Sequence, residues 1–188
     1  MSWVFRFGAG PDPQEFYDTY RGNGRQPYNS KYVMIASAYG ARTQRKWYIP
    51  EHVIQKMMEI ISEYNDDANS ERAMIEKVLG YMEEEFSKEF KMNDRKSLDW
   101  RGSGDSAQMD CIDEAWNATV LLQWINEFHY SLKHHTIRAP MGKQPLFKWM
   151  HWGACIKHNN NNRLWVIDGG IRRGGKPPVI YDGDDWYE

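Results

Sequence analysis

The segment from Ile112 to Phe128 is apolar on every side of a helical wheel. Ile112, Ala115, Trp116, Val120, Leu121, Leu122, Trp124 and Ile125 leave no continuous polar stripe. A helix with no face for water has to be surrounded by other elements. The rest of the sequence must therefore wrap around one central helix, and 188 residues are enough to do this as a single domain with a sizeable core. The longest apolar run lies around residues 118–125. It is well short of the roughly 20 residues needed to span a bilayer, so no membrane span is expected.

Two amphipathic helices precede the central one. Pro50 can start a helix because its missing N–H is not needed in the first turn. Val53, Met57, Ile60, Ile61 and Tyr64 then fall on one helical face. Residues 65–70 read as a loop, with Ser70 as the expected N-cap of the next helix. That helix carries Ile75, Val78, Leu79, Met82 and Phe86 in one stripe and Glu and Lys on its solvated side. The pair predicts an antiparallel helical hairpin.

The first 49 residues differ in character. Gly8-Ala9-Gly10-Pro11-Asp12-Pro13 and Arg21-Gly22-Asn23-Gly24 are turn-rich, and aromatic residues such as Phe16, Tyr17, Tyr28 and Trp47 are interleaved with basic ones. The expected division is an irregular, aromatic-rich N-terminal arm over residues 1–49, packed on the domain or on a partner, and one domain over residues 50–188.

Residues 91–107 read as a polar loop containing Trp100-Arg101-Gly102-Ser103-Gly104. After the central helix and a Pro- and Gly-containing connection come two aromatic and β-branched runs, Met150-His151-Trp152-Gly153-Ala154-Cys155-Ile156 and Leu164-Trp165-Val166-Ile167-Asp168. The four Asn at 159–162 separate them. This pattern predicts a β-hairpin. A third strand is expected at Pro178-Val179-Ile180-Tyr181, after a loop bracketed by Gly169-Gly170 and Gly174-Gly175. If the four Asn form the turn, His158 faces Arg163 and Gly153 faces Asp168. His151 and Asp168 then share a face as diagonal neighbours, roughly 7–8 Å apart. A one-residue slip would put them on opposite faces.

Cys111 begins the central helix within Gln108-Met109-Asp110-Cys111-Ile112-Asp113-Glu114. With Asp110 as N-cap, the thiol occupies the first helical position, where unpaired N–H groups and the helix dipole favour thiolate. Asp110, Asp113 and Glu114 oppose this with like charge. An imidazolium partner would have to offset them, which is the logic of a Cys–His pair. Cys155 lies four residues along the strand from His151 and reads as core.

The Cys box, Met150-His151-Trp152 and Trp165-Val166-Ile167-Asp168, with Glu71-Arg72 before the second helix, resemble a group of short bacterial proteins. Those carry a G-Q-M-D-C-I-D-E box, a P-H segment and a V-D-S segment. The group is similar to the transglutaminase-like branch of the papain-like cysteine enzymes. The resemblance covers about residues 70–181, and Ala107, Ala115, Met150 and Gly169 depart from it. It implies an α+β fold with a papain-like core: a central buried helix packed on a small antiparallel sheet, with the helical hairpin and arm in front. It also implies a triad in which Cys111 is the nucleophile, His151 the general base and acid, and Asp168 the orienting carboxylate. Gln108 and the Cys111 N–H would be oxyanion donors. The implied chemistry is acyl transfer or hydrolysis at amide bonds through a thioester, on a peptide or protein substrate, with no metal or organic cofactor. The alternative is a silent subunit of the same fold whose aromatic arm contacts a protein partner.

The remaining classes are weakly supported. A net charge of -2 offers no basic face for nucleic acid. Two cysteines without a CxxC pair suit neither a disulfide scaffold nor a zinc ribbon. His134, His135, His151 and His158 have no convincing ligand spacing. The N-terminus lacks a basic stretch followed by an apolar run, so the expected compartment is the cytoplasm.

Overall fold

The computed structural model describes residues 13–20, 27–92, 104–143, 150–170 and 176–187. Within these, the helices are α1 (Pro13–Thr19), α2 (Glu51–Ser62), α3 (Ala68–Glu89) and α4 (Cys111–Phe128). One antiparallel sheet contains β1 (Tyr28–Asn29), β2 (Tyr32–Ser37) and β3 (Thr43–Trp47) in that order. The other is an antiparallel meander of β4 (His135–Lys143), β5 (His151–His158), β6 (Leu164–Asp168) and β7 (Val179–Asp182). A 3-10 turn, Asp185–Tyr187, follows. The fold is α+β, and no described helix is long and apolar enough to cross a membrane.

The helix that had to be surrounded is surrounded. α4 touches β2 and β1 of the first sheet and β4, β5 and β6 of the second. Leu121, Leu122, Trp124 and Ile125 join Val33, Ile35, Trp47, Ala154, Ile156 and Ile167 in one core, which the apolar stripes of α2 and α3 complete. Asn117 is a polar residue inside this helix, and its side chain is used as a clamp. It accepts the Ala36 N–H at 2.7 Å and donates to the Ala36 carbonyl at 3.1 Å, so a buried stretch of β2 has its backbone satisfied from α4.

The described part of the first 49 residues is not an irregular arm. Val33, Ile35 and Trp47 are fully buried in the main core. Tyr17 donates to Gln123 at 2.8 Å and Trp116 donates to the Met34 carbonyl at 2.9 Å, both tying this region to α4. Between the turn-rich segments, Val33-Met34-Ile35-Ala36-Ser37 lies in strand β2. That run is apolar at four successive positions, so its sequence lacks the apolar–polar alternation that marks a half-exposed strand, although Met34 is only partly buried. Residues 1–12 and 21–26 lie outside the described residues, as do residues 93–103 of the expected polar loop, Trp149 and the Gly174-Gly175 pair.

Two smaller expectations are also corrected. The cap of α3 is Asp67, whose carboxylate accepts the Asn69 and Ser70 N–H groups; Ser70 sits inside the first turn. Asp67 is extended and brings a negative charge to the positive helix end, which a serine does not. The connection after α4 is the nine-residue strand β4. Its Pro140 and Gly142 read as turn residues, yet they fall at or beside a register shift between Arg138 and Met141, where a strand tolerates a missing N–H.

The buried Glu71 fastens α3 to the start of β4. It accepts the Lys133 N–H at 2.7 Å, the His134 N–H at 3.1 Å and His135 Nδ1 at 2.7 Å. Burial would raise its pKa, but the bonds from His135 and from the two backbone N–H groups outweigh burial and leave it lowered. A carboxylate with a depressed folded pKa stabilises above its unfolded pKa of about 4.3, and that contribution is lost as pH falls through the folded value. Urea unfolding should therefore show falling stability below about pH 4. Glu71→Gln should show a flatter acid limb and a loss of about 2–3 kcal/mol at neutral pH. An unchanged acid limb in the variant would contradict this role.

Candidate active site

Asp110 is the N-cap of α4 in extended conformation, and Cys111 is the first helical residue. A reciprocal capping box forms here. Asp110 Oδ1 accepts the Ile112 and Asp113 N–H groups at 3.0 and 2.9 Å, and Asp113 Oδ2 accepts the Asp110 N–H at 3.1 Å. The Asp110 carbonyl accepts the Glu114 N–H, and the cap's side-chain bonds go to Ile112 and Asp113 rather than to Cys111.

The turn after β2 completes this corner. Ala38, Tyr39, Gly40 and Ala41 all have positive φ, at 71°, 62°, 70° and 53°. Such a run costs energy in non-glycine residues but aligns successive N–H groups into an anion-binding concavity. Tyr39 N–H and Ala41 N–H donate to Asp113 at 2.8 and 2.7 Å, and Gly40 N–H donates to Asp110 at 3.1 Å. Burial, then the neighbouring Asp110 carboxylate, pushes the Asp113 pKa up, while the three N–H donors act in the opposite direction. The sequence marks Asp113 only as a like charge near the thiol; its carboxylate is in fact spent on backbone donors.

The hairpin has the expected register. His158 N–H donates to the Arg163 carbonyl at 2.8 Å, and Ala154 pairs with Ile167. His151 and Asp168 consequently meet, with Nε2 2.9 Å from Oδ2. The carboxylate can only accept when ionised, so Nε2 carries the proton and Nδ1 of the neutral ring holds the open lone pair. Nδ1 is buried and makes no hydrogen bond among the described residues. Asp168 is fully buried, and its Oδ1 takes the Gly170 N–H at 3.0 Å. A side chain fixed in this way fixes its partner.

The Cys111 sulfur reaches the backbone on either side of His151. It donates to the Met150 carbonyl at 3.7 Å and accepts from the Trp152 N–H. It does not bond to the imidazole in this arrangement. Burial pushes the thiol up to about 12; the Trp152 N–H pulls it down, and the Asp110, Glu114 and Asp168 charges push it up further. The resting sulfur is a neutral thiol.

The floor under the imidazole comes from residues that the sequence did not single out. The Trp186 ring lies 5.2 Å from the His151 ring, and Lys143 Nζ sits 4.0 Å over Trp186. Lys143 is the cross-strand partner of His151, a relation visible only once β4 is recognised as a strand. Nothing in the sequence around Trp186 announces its position.

Gln108 is buried, with its carbonyl on the Ala38 N–H and its N–H on the Asp105 carbonyl. None of the bonds of the Cys111 sulfur among the described residues goes to it. Cys155 is buried with Met141, Val166 and Trp186, and both cysteines are free. The four histidines have different partners: His134 meets Asp66, His135 meets Glu71, His151 meets Asp168, and His158 Nδ1 accepts the Asn160 N–H. No described group of three or more His, Cys, Asp or Glu is disposed to hold a metal. Comparison with known proteins finds no match to a family model, to a curated protein or to a solved structure.

Proposed function

We propose that this protein performs cysteine-dependent acyl transfer or hydrolysis at amide bonds, with Cys111 as nucleophile, His151 as base and acid, and Asp168 as the orienting carboxylate. The observation that carries the reading is the state of His151. Asp168 holds its Nε2, its Nδ1 lone pair is unclaimed, and the thiol rests on the backbone at both of its flanks. A turn of the Cys111 side chain from the Met150 carbonyl toward Nδ1 would complete the pair.

In the proposed reaction the thiol proton passes to His151 Nδ1 as sulfur attacks the amide carbon. The negative charge on oxygen would meet the Cys111 N–H at the helix end, which the Asp110 side chain does not cap. Collapse breaks the C–N bond, and the imidazolium gives its proton to the departing amine. Water or a second amine then attacks the thioester, loses a proton to His151, and the sulfur recovers it. A thiol that burial keeps protonated suits this order, because it loses its proton only as the reaction begins.

p-Nitrophenyl acetate tests the reading without a known substrate. The expected result is a burst of nitrophenol matching the chain concentration, with one acetyl group on Cys111 by peptide mass spectrometry and none on Cys155. Cys111→Ala should abolish the burst. A second reading, a silent binding subunit of this fold, is favoured by the thiol's being pushed up to about 12. It would be supported by an unacylated Cys111 in folded protein.

A further inference from the structure

We propose that Lys143 is the specificity-determining cation of this site and selects acyl donors that carry a carboxylate close to the scissile amide. The substrate class is then an acidic peptide or amide. This deepens the proposed acyl-transfer reading and rests on it.

Lys143 pairs directly with His151 across β4 and β5, so the two side chains leave the same face as nearest neighbours. Its ammonium lies 4.0 Å from the centre of the Trp186 ring, and that ring also supports His151. A cation over an indole face is held weakly and stays available to a stronger partner. No ion pair joins Lys143 to a carboxylate among the described residues. Asp168, whose charge it feels, is already committed to His151 and the Gly170 N–H. Burial lowers the Lys143 pKa, so the half-buried ammonium sits there at a cost that an arriving carboxylate would remove.

The charges around the thiol make the cation more informative. Asp110, Glu114 and Asp168 all act on Cys111 with negative potential. Such a site repels anions unless a positive group stands at its entrance. A neutral or basic substrate would gain nothing from Lys143, whereas an acidic one needs it.

The test is the ratio of alkylation rates at Cys111 for iodoacetate, an anion, and iodoacetamide, its neutral analogue, on the full chain near neutral pH. Lys143→Met is expected to lower that ratio about fivefold, the size of one unit charge acting over several Å in a partly solvated site. Lys143→Arg should restore it, and about 0.5 M NaCl should lower the ratio in the unmodified protein. Lys143→Gln serves as a second charge-removing variant if the Met variant folds poorly. Reactive Cys111 with the same ratio in all variants would overturn the role of Lys143 alone. No labelling by either reagent in folded protein would overturn the acyl-transfer reading and this inference with it.

Discussion

Asp113→Ala is expected to cost about 3–5 kcal/mol of folding stability, the range for stripping a buried charged group from its partners. The side chain is fully buried and accepts from Tyr39, Ala41 and Asp110. Its loss strands two buried N–H donors and a partly buried third. It also removes two of the three side-chain bonds, those to the Tyr39 and Ala41 N–H groups, that hold a turn with four consecutive positive φ angles. Asp113→Asn should recover only part of this, because the amide nitrogen would face a donor. Urea denaturation with tryptophan fluorescence measures both variants. A loss below about 1 kcal/mol for the alanine variant would mean that the corner is held by something else. Since Asp113 also fixes the N-terminus of α4, its variants should acylate Cys111 poorly even where they remain folded.

His151→Ala is expected to slow acetylation of Cys111 by p-nitrophenyl acetate by at least about a hundredfold at neutral pH, the usual scale of a lost general base. The sulfur lies in an apolar, negatively charged corner that pushes its pKa up to about 12, so an unassisted thiol there is almost wholly protonated. Removing the imidazole takes away a ring nitrogen that no described residue bonds and that could take the proton. Asp168→Asn should reduce the rate less, since the amide oxygen can still accept from Nε2 but no longer stabilises the imidazolium by charge. Equal rates in the His151 variant and the unmodified protein would detach His151 from the chemistry.

How far the sequence revealed this site depended on whether local rules decide local geometry. The four Asn between two strand-like runs set a turn length. That length alone brought His151 and Asp168 to one face, so a long-range contact followed from counting. The Asp110–Cys111 boundary was equally legible, because a short acidic residue before an apolar helical run has one obvious role. β2 and β4 were not legible. The first is apolar at successive positions and shows no apolar–polar alternation in sequence, and the second carries Pro140 and Gly142 at an irregular pairing with β5. With β4 hidden, the pairing of Lys143 with His151 was hidden too. Trp186 arrives under the imidazole through the chain's path after β7, which no local pattern encodes. The left-handed turn at 38–41 was out of reach for a similar reason. Alanine and tyrosine do not ask for positive φ; the carboxylates of a distant segment impose it.

The rate of Cys111 alkylation by iodoacetamide across pH, in the unmodified protein and in His151→Ala, tests the pairing of thiol and imidazole most directly. The account predicts a rate that already rises through the range where histidine titrates, around pH 6–7, and holds toward alkaline pH. In His151→Ala that lower limb should vanish, leaving reactivity only at strongly alkaline pH. A single alkaline rise shared by both proteins would show that the sulfur never engages the ring, and the triad reading would fall.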